Sequence, residues 1–160
     1  MWWLLGEAPS LRPLQVDLAT MTANVAQVFL TDEEWAVMLR AVRSALRPGG
    51  RLAFESCDSA WRAWGGWNRD STTTCARGGL RGRHSDGLGG SHQCAGTLVS
   101  FQETVVLVDG SVLSSESTLR FRTRAELLES VASAGLVVDE VRDAPDRPGR
   151  ELVVIAHRPD

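Results

Sequence analysis

The sequence predicts an α/β fold, a mostly parallel sheet covered by helices, with an antiparallel hairpin inserted into it. Two observations carry this. Thr31-Asp32-Glu33-Glu34 and Thr123-Arg124-Ala125-Glu126 are both capping boxes, in which a threonine hydroxyl and a glutamate three residues on satisfy each other's backbone N–H groups. Each opens an apolar helical face, and β-branched or apolar runs of strand length stand around them. Alternating strands and helices of this kind form a layered α/β domain.

In chain order, residues 1–5 (MWWLL) read as a short buried strand, ended by the turn Gly6-Glu7-Ala8 and a loop between Pro9 and Pro13. Residues 16–21 are a second strand. The first capping box then starts a helix whose Trp35, Met38, Leu39, Val42 and Leu46 lie on one face, with Arg40, Arg43 and Arg47 toward solvent. Pro48-Gly49-Gly50 stops it, and residues 51–55 form a strand. The second capping box leads through Leu127, Leu128 and Val131 to a stop at Gly135. Strands follow at 136–141 and 152–156, separated by a loop with two prolines.

Residues 56–121 form an insert within what reads as one domain spanning 1–160. It opens with Trp61, Trp64 and Trp67 at helical spacing, and such a stripe is more often packing than binding. The stretch from Cys75 to Cys94, rich in Gly, Arg, Ser and His, has no periodicity and is expected to be a mobile loop. Residues 98–121 are two extended runs joined at Asp109-Gly110, a dipeptide suited to a hairpin turn with positive φ.

Composition excludes several classes. With 160 residues and 43% hydrophobics the chain can bury one core. No apolar run approaches the roughly 20 residues of a membrane span, and no secretory signal is read at the start, so a cytoplasmic location is expected. A net charge of −3 supplies no basic stripe for nucleic acid. Three cysteines are an odd, widely spaced set unsuited to a disulfide framework. Cys75, His84, His92 and Cys94 have ligand chemistry without the spacing of a zinc ribbon or finger, so no metal is expected. No G-x-S-x-G elbow supports a hydrolase.

The words Gly6-Glu7-Ala8, Val16-Asp17-Leu18-Ala19-Thr20-Met21-Thr22, Asn24-Val25-Ala26-Gln27-Val28-Phe29, Leu46-Arg47-Pro48-Gly49-Gly50-Arg51-Leu52 and Glu55, in this order, resemble the class I S-adenosylmethionine (SAM) dependent methyltransferases of bacterial small-molecule type. The resemblance runs over most of the chain and implies a partial Rossmann-like sheet, from the third to the seventh strand of that fold. It implies SAM as cofactor and methyl transfer to a small-molecule acceptor. Glu7 and Ala8 would border the adenine, and Met21, Thr22, Ala23 and Asn24 the transferable methyl. Trp61, Trp64, Trp67 and the hairpin would form the acceptor's wall. No catalytic residue is fixed by this pattern. Glu55 and Asp58, at the end of the fifth strand, are the carboxylates available as a general base.

The chain also departs from the family. The two strands, the glycine-rich loop and the ribose-binding acid that precede the family's third strand are not in the sequence, so an amino-terminally truncated enzyme is expected. The glycines between Gly78 and Gly90 have no strand before them or helix after them, and fail the context of a nucleotide loop. Ala23 stands where relatives carry glycine. Without its neighbours the fourth strand would be an exposed edge. An alternative reading is therefore a catalytically silent remnant that binds or self-associates through that edge.

Overall fold

The computed structural model describes residues 5–6, 14–66, 74–75, 83–85, 93–107 and 109–160. The chain divides into two compact units, Met1–Trp61 with Arg122–Asp160, and Arg62–Phe121. The insert expected from residue 56 thus separates at Trp61. Residues 56–58 still belong to the first unit, because Cys57 pairs with Glu151 and the Asp58 N–H donates to the Arg150 carbonyl at 2.9 Å.

The first unit contains β1 (Val16–Met21), α1 (Asp32–Ala45), β2 (Leu46–Cys57), and, after the second unit, the helix Arg124–Ser133 (α2 here) and the strands Val137–Asp143 and Glu151–His157. Its four strands lie in the order Val16–Met21, Leu46–Cys57, Glu151–His157, Val137–Asp143. The first pair is parallel and the other two are antiparallel. Three strands therefore run one way, as expected. The last strand runs against them between two of the others, so only one of the three pairings is parallel. Among the described residues β1 is an edge, with Leu18 57% exposed.

Both capping boxes form. Thr31 Oγ1 accepts the Glu34 N–H at 3.1 Å while Glu34 accepts the Thr31 N–H at 3.0 Å, and Thr123 and Glu126 do the same. Trp35 is the hub of the core. It is 1% exposed, its ring lies 5.6 Å from Phe29 and 5.5 Å from Phe54, and its indole N–H donates to Ser130 Oγ at 2.8 Å. One aromatic thus joins α1 to β2 and to α2, with Leu39, Val42, Leu52, Leu127, Val131 and Val154 packed in the same core. Arg43, expected toward solvent, is half-buried and donates from Nε to the Gly135 carbonyl at 3.0 Å, closing the end of α2.

The Leu-Arg-Pro-Gly-Gly segment differs from its expected role as a helix stop. Helix α1 ends at Ala45, and Leu46 is already extended, with φ −76° and ψ 140°. Pro48 disfavours helix in the residue before it, so the chain enters β2 early and absorbs the mismatch as a bulge opposite Val16 and Leu18. Gly50 makes this possible. A Cβ there would lie 2.9 Å from both the Val16 and the Arg47 carbonyl oxygens. Arg158 clamps the same turn, since its carbonyl accepts the Gly49 N–H at 2.8 Å and its N–H donates to Gly50 at 2.9 Å.

In the second unit, the expected hairpin forms from Leu98–Leu107 and Val112–Arg120, paired from Leu98↔Arg120 to Val106↔Val112. Gly110 takes φ 83°, its N–H donates to the Leu107 carbonyl at 3.0 Å, and Asp109 Oδ1 accepts the Ser111 N–H at 2.9 Å. Where a mobile loop was expected, the described residues are short strands. Thr74–Cys75 pairs with Arg83–Ser85, and Arg83–Ser85 and Gln93–Ala95 both pair with Leu98–Leu107 on the edge away from its hairpin partner. Backbone pairing to an existing strand overrides the weak local propensity of this stretch. The tryptophan-bearing stretch is not one helix. Ser59–Trp61 and Ala63–Gly66 are two 3-10 turns broken at Arg62, whose φ is 48°, and Gly65-Gly66 gives a longer helix poor support.

Gly50→Ala is expected to destabilise the chain by about 1–3 kcal/mol, the usual cost of forcing backbone apart around an added methyl. Urea unfolding compared with a control Ala41→Gly change on α1 measures it.

Candidate functional site

In an open α/β sheet, ligands bind beyond the carboxyl ends of the parallel strands. Here that end brings together the segment after β1, the end of β2, and the start of the reversed strand Glu151–His157. Met21 lies opposite Phe54, so the next residues stand level with Glu55 to Cys57, and Cys57 stands opposite Glu151.

The segment Thr22 to Asn24 is strained. Ala23 and Asn24 both take left-handed conformations, φ 57° and 55°, costing roughly 1–2 kcal/mol for an L residue, less for asparagine. Ala23 therefore sits where glycine would be at ease, which is the departure the sequence flagged. Two carboxylates hold the segment. The Ala23 N–H donates to Glu55 Oε1 at 2.5 Å, and Asn24 Nδ2 donates to Glu151 Oε1 at 3.1 Å. Glu151 is 4% exposed, and Arg147 Nη1 also donates to its Oε1, at 2.5 Å. Asn24 then leads the 3-10 turn Val25–Val28. Two buried polar atoms here have no partner among the described residues, Asn24 Oδ1 and Gln27 Nε2.

The other expected site residues fall as follows. Glu55 is half-buried and engaged with Ala23. Asp58 caps the first 3-10 turn, its Oδ1 accepting the Ala60 N–H at 2.9 Å and its carbonyl the Trp61 N–H at 3.0 Å. Trp61 is 51% exposed, with the Arg150 guanidinium 5.0 Å from its ring centroid. Trp64 belongs to the second unit, where its ring lies 4.4 Å from that of Phe121. Trp67, Glu7, Ala8 and His92 lie outside the described residues, as do residues 1–4; Leu5 is exposed and outside any strand. Among the described residues no three His, Cys, Asp or Glu side chains group as metal ligands, and no helix is long and apolar enough to cross a membrane.

Sequence reading missed Gln27, Arg122, Arg147 and Glu151. Arg122 is 2% exposed and donates to the Thr31 carbonyl at 2.8 Å and the Ala26 carbonyl at 3.3 Å, with its guanidinium 5.5 Å from the Trp35 ring. It ties the segment after β1 to the lead of α2. Its only sequence signal is a lone arginine beside an N-cap.

Two recesses lie elsewhere. One of about 310 Å³ runs between α1 and α2, lined by Asp32, Trp35, Arg40, Glu126 and Ser133. The other, about 420 Å³, is lined by Arg51, Asp139, His157 and Arg158. Neither of these two recesses is lined by residues 21–24.

No family model and no curated protein sequence matches this chain. Solved structures do. An S-adenosylmethionine-dependent methyltransferase from Clostridium acetobutylicum matches with a TM-score of 0.73 at 12% identity over 97% of this chain. The CcbJ methyltransferase from Streptomyces caelestis matches with 0.66 at 18% over 98%, and a SAM-bound amino pentose methyltransferase from Micromonospora echinaspora with 0.60 at 20% over 96%. The chain thus has the α/β fold of the SAM-dependent methyltransferases. It spans 63% of the length of each of these three proteins.

Cys57, at the end of β2, reports on the charge of this region. Burial pushes its thiol from an ordinary 9.0 up to about 11, with the Glu151 carboxylate adding to the effect and Arg147 opposing it. The folded chain holds this proton more tightly than the unfolded chain, so the associated stability is fully present below pH 9 and lost as pH rises through about 11. The sequence contains no tyrosine and no lysine, which clears that window of most other titrations. Urea melts from pH 8 to pH 11 are expected to fall more steeply for the native chain than for Cys57→Ser; parallel slopes would contradict a thiol whose proton is held by partial burial.

Proposed function

We propose that this chain forms part of a SAM-dependent methyltransferase acting on a small-molecule acceptor, and that the segment Met21 to Asn24 is its contact with the methyl donor. The observation that supports it most is the concentration of strain and unpartnered polar atoms in one short segment at the ligand-binding end of a methyltransferase sheet. Left-handed Ala23 and Asn24, with the orphaned Asn24 Oδ1 and Gln27 Nε2, are costs that a folded chain keeps where a ligand uses them.

Bound SAM supplies an electron-poor methyl carbon that a nucleophile attacks in line with the departing sulfur. The chain's own task is to hold donor and acceptor in register and to exclude water. The residues present fit such a ligand in kind: Asn24 Oδ1 is an acceptor for an N–H group, Gln27 Nε2 is a donor, and the backbone of residues 22–24 is turned by two carboxylates that are themselves satisfied. Glu7 and Ala8 are proposed beside the adenine, and Trp61, Trp64 and Trp67 as the acceptor's wall. Glu55 accepts the Ala23 N–H through Oε1 and Asp58 caps a turn through Oδ1, so each holds backbone with one oxygen and keeps the other as the base this reading offers. A nucleophile that is neutral at working pH, such as an unprotonated amine, needs no base.

A second reading is favoured by one observation. The edge strand β1 leaves Leu18 exposed among the described residues, as a module that binds or self-associates through a sheet edge would.

Calorimetric titration of S-adenosylhomocysteine (SAH) into the 160-residue chain, and into the same chain joined to any in-frame sequence upstream of it, separates the two. Saturable binding by either form is the expected result. Binding by neither, with β1-dependent self-association in sedimentation, would favour the silent module.

A further inference from the structure

Ala23 and Asn24 cannot hold two consecutive left-handed conformations on their own account, and the two carboxylates that hold them come from neighbouring antiparallel strands. Glu55 on β2 takes the Ala23 N–H, and Glu151 at the head of the reversed strand takes the Asn24 amide. Only the second bond determines which way a side chain faces. A carboxylate accepts and does not donate, so the Asn24 Nδ2 must point to Glu151, and Oδ1 is turned away from it. That Oδ1 is buried and has no partner among the described residues. Glu151 is itself committed, because its Oε1 also takes Arg147, and at 4% exposure it has no freedom to leave.

We infer that Glu151 is a positioning residue for the methyl-donor segment. Through Asn24 it fixes the left-handed turn after β1 and turns the side-chain oxygen Asn24 Oδ1 away from itself, free to accept an N–H donor of the ligand, while Arg147 holds the Glu151 carboxylate in place. This rests on the reading that residues 21–24 meet SAM. Glu151 touches no ligand in this scheme. Its effect passes entirely through Asn24, and a carboxylate at 151 selects the amide orientation that an amide or hydroxyl at 151 would leave open.

The test exchanges the two roles. Asn24→Asp keeps a residue that tolerates the left-handed conformation but sets an acceptor against an acceptor. Asn24→Asp with Glu151→Gln restores one donor and one acceptor at the same two positions, with the roles reversed. Two readouts are taken on the wild type and both variants, with thermal melts to confirm that each is folded. The first is ligand-free, the three-bond HN–Hα coupling of residues 23 and 24 and the exchange rate of the Ala23 amide. The second is the affinity for SAH.

Asn24→Asp is expected to shift the couplings, speed exchange of the Ala23 amide, and weaken SAH by about tenfold, because two carboxylates then face each other where a hydrogen bond held the turn. The double variant is expected to recover the couplings and most of the affinity. Unchanged couplings and exchange in Asn24→Asp, or a double variant no better than the single one, would overturn the assignment. A wild type that binds SAH while Asn24→Asp binds it equally well overturns the assignment alone. A wild type that binds no SAH in either form overturns the functional reading beneath it.

Discussion

The hydrogen bond between Asn24 and Glu151 joins residues 127 apart in sequence, and the candidate site exists in its present shape because of it. Its geometric precondition is the direction of the last strand. Were that strand parallel to β2, its first residue would lie at the opposite end of the sheet, and no carboxylate from it could reach the segment after β1. Running antiparallel, the strand places Glu151 beside Cys57, the last residue of β2 and three residues beyond the partner of Met21 at the end of β1. The same reversal puts its far end at Gly49 and Gly50, where Arg158 clamps the bulge that lets β2 begin. One strand direction thus secures both ends of β2.

The strained segment also needs a rigid floor, and Trp35 supplies it. The indole packs against Phe29 and Phe54 and donates its N–H to Ser130, so α1 cannot slide relative to β2 without losing aromatic contact, or relative to α2 without breaking a hydrogen bond. Arg122 lies over the same ring and binds the Ala26 and Thr31 carbonyls, which carry the chain from the 3-10 turn into α1. Removing that guanidinium would take a donor from the buried Ala26 carbonyl and leave the Thr31 carbonyl with the Trp35 N–H alone. The left-handed residues are therefore held by β2 and the reversed strand, and the turn that follows them is tied to the helix layer through Arg122.

Much of this was legible in the sequence, and the limits have physical causes. Both helices announced themselves because capping boxes and apolar periodicity are local signals, and Asp109-Gly110 marked its hairpin for the same reason. Leu46 to Gly50 misled because proline and glycine end a helix and also build a bulge, and only contact with Val16 and Arg158 distinguishes the two. The tryptophan spacing suited a helix, yet Arg62 took a left-handed conformation that spacing does not encode. Ala23 was flagged from the family's pattern, and the structure supplies the positive φ that makes the departure matter. Glu151 was invisible because nothing near it in sequence distinguishes a buried, doubly bonded carboxylate from the exposed ones around it.

The central claim is that the segment held by Glu55 and Glu151 is where a methyl donor meets this chain. Amide chemical-shift mapping of the isotope-labelled chain on addition of SAH tests it most directly. The account predicts that the largest shifts fall on Thr22, Ala23, Asn24 and the Gln27 side-chain amide. Shifts confined to the groove between α1 and α2 or to the recess around His157, with residues 22–27 unmoved, would contradict it.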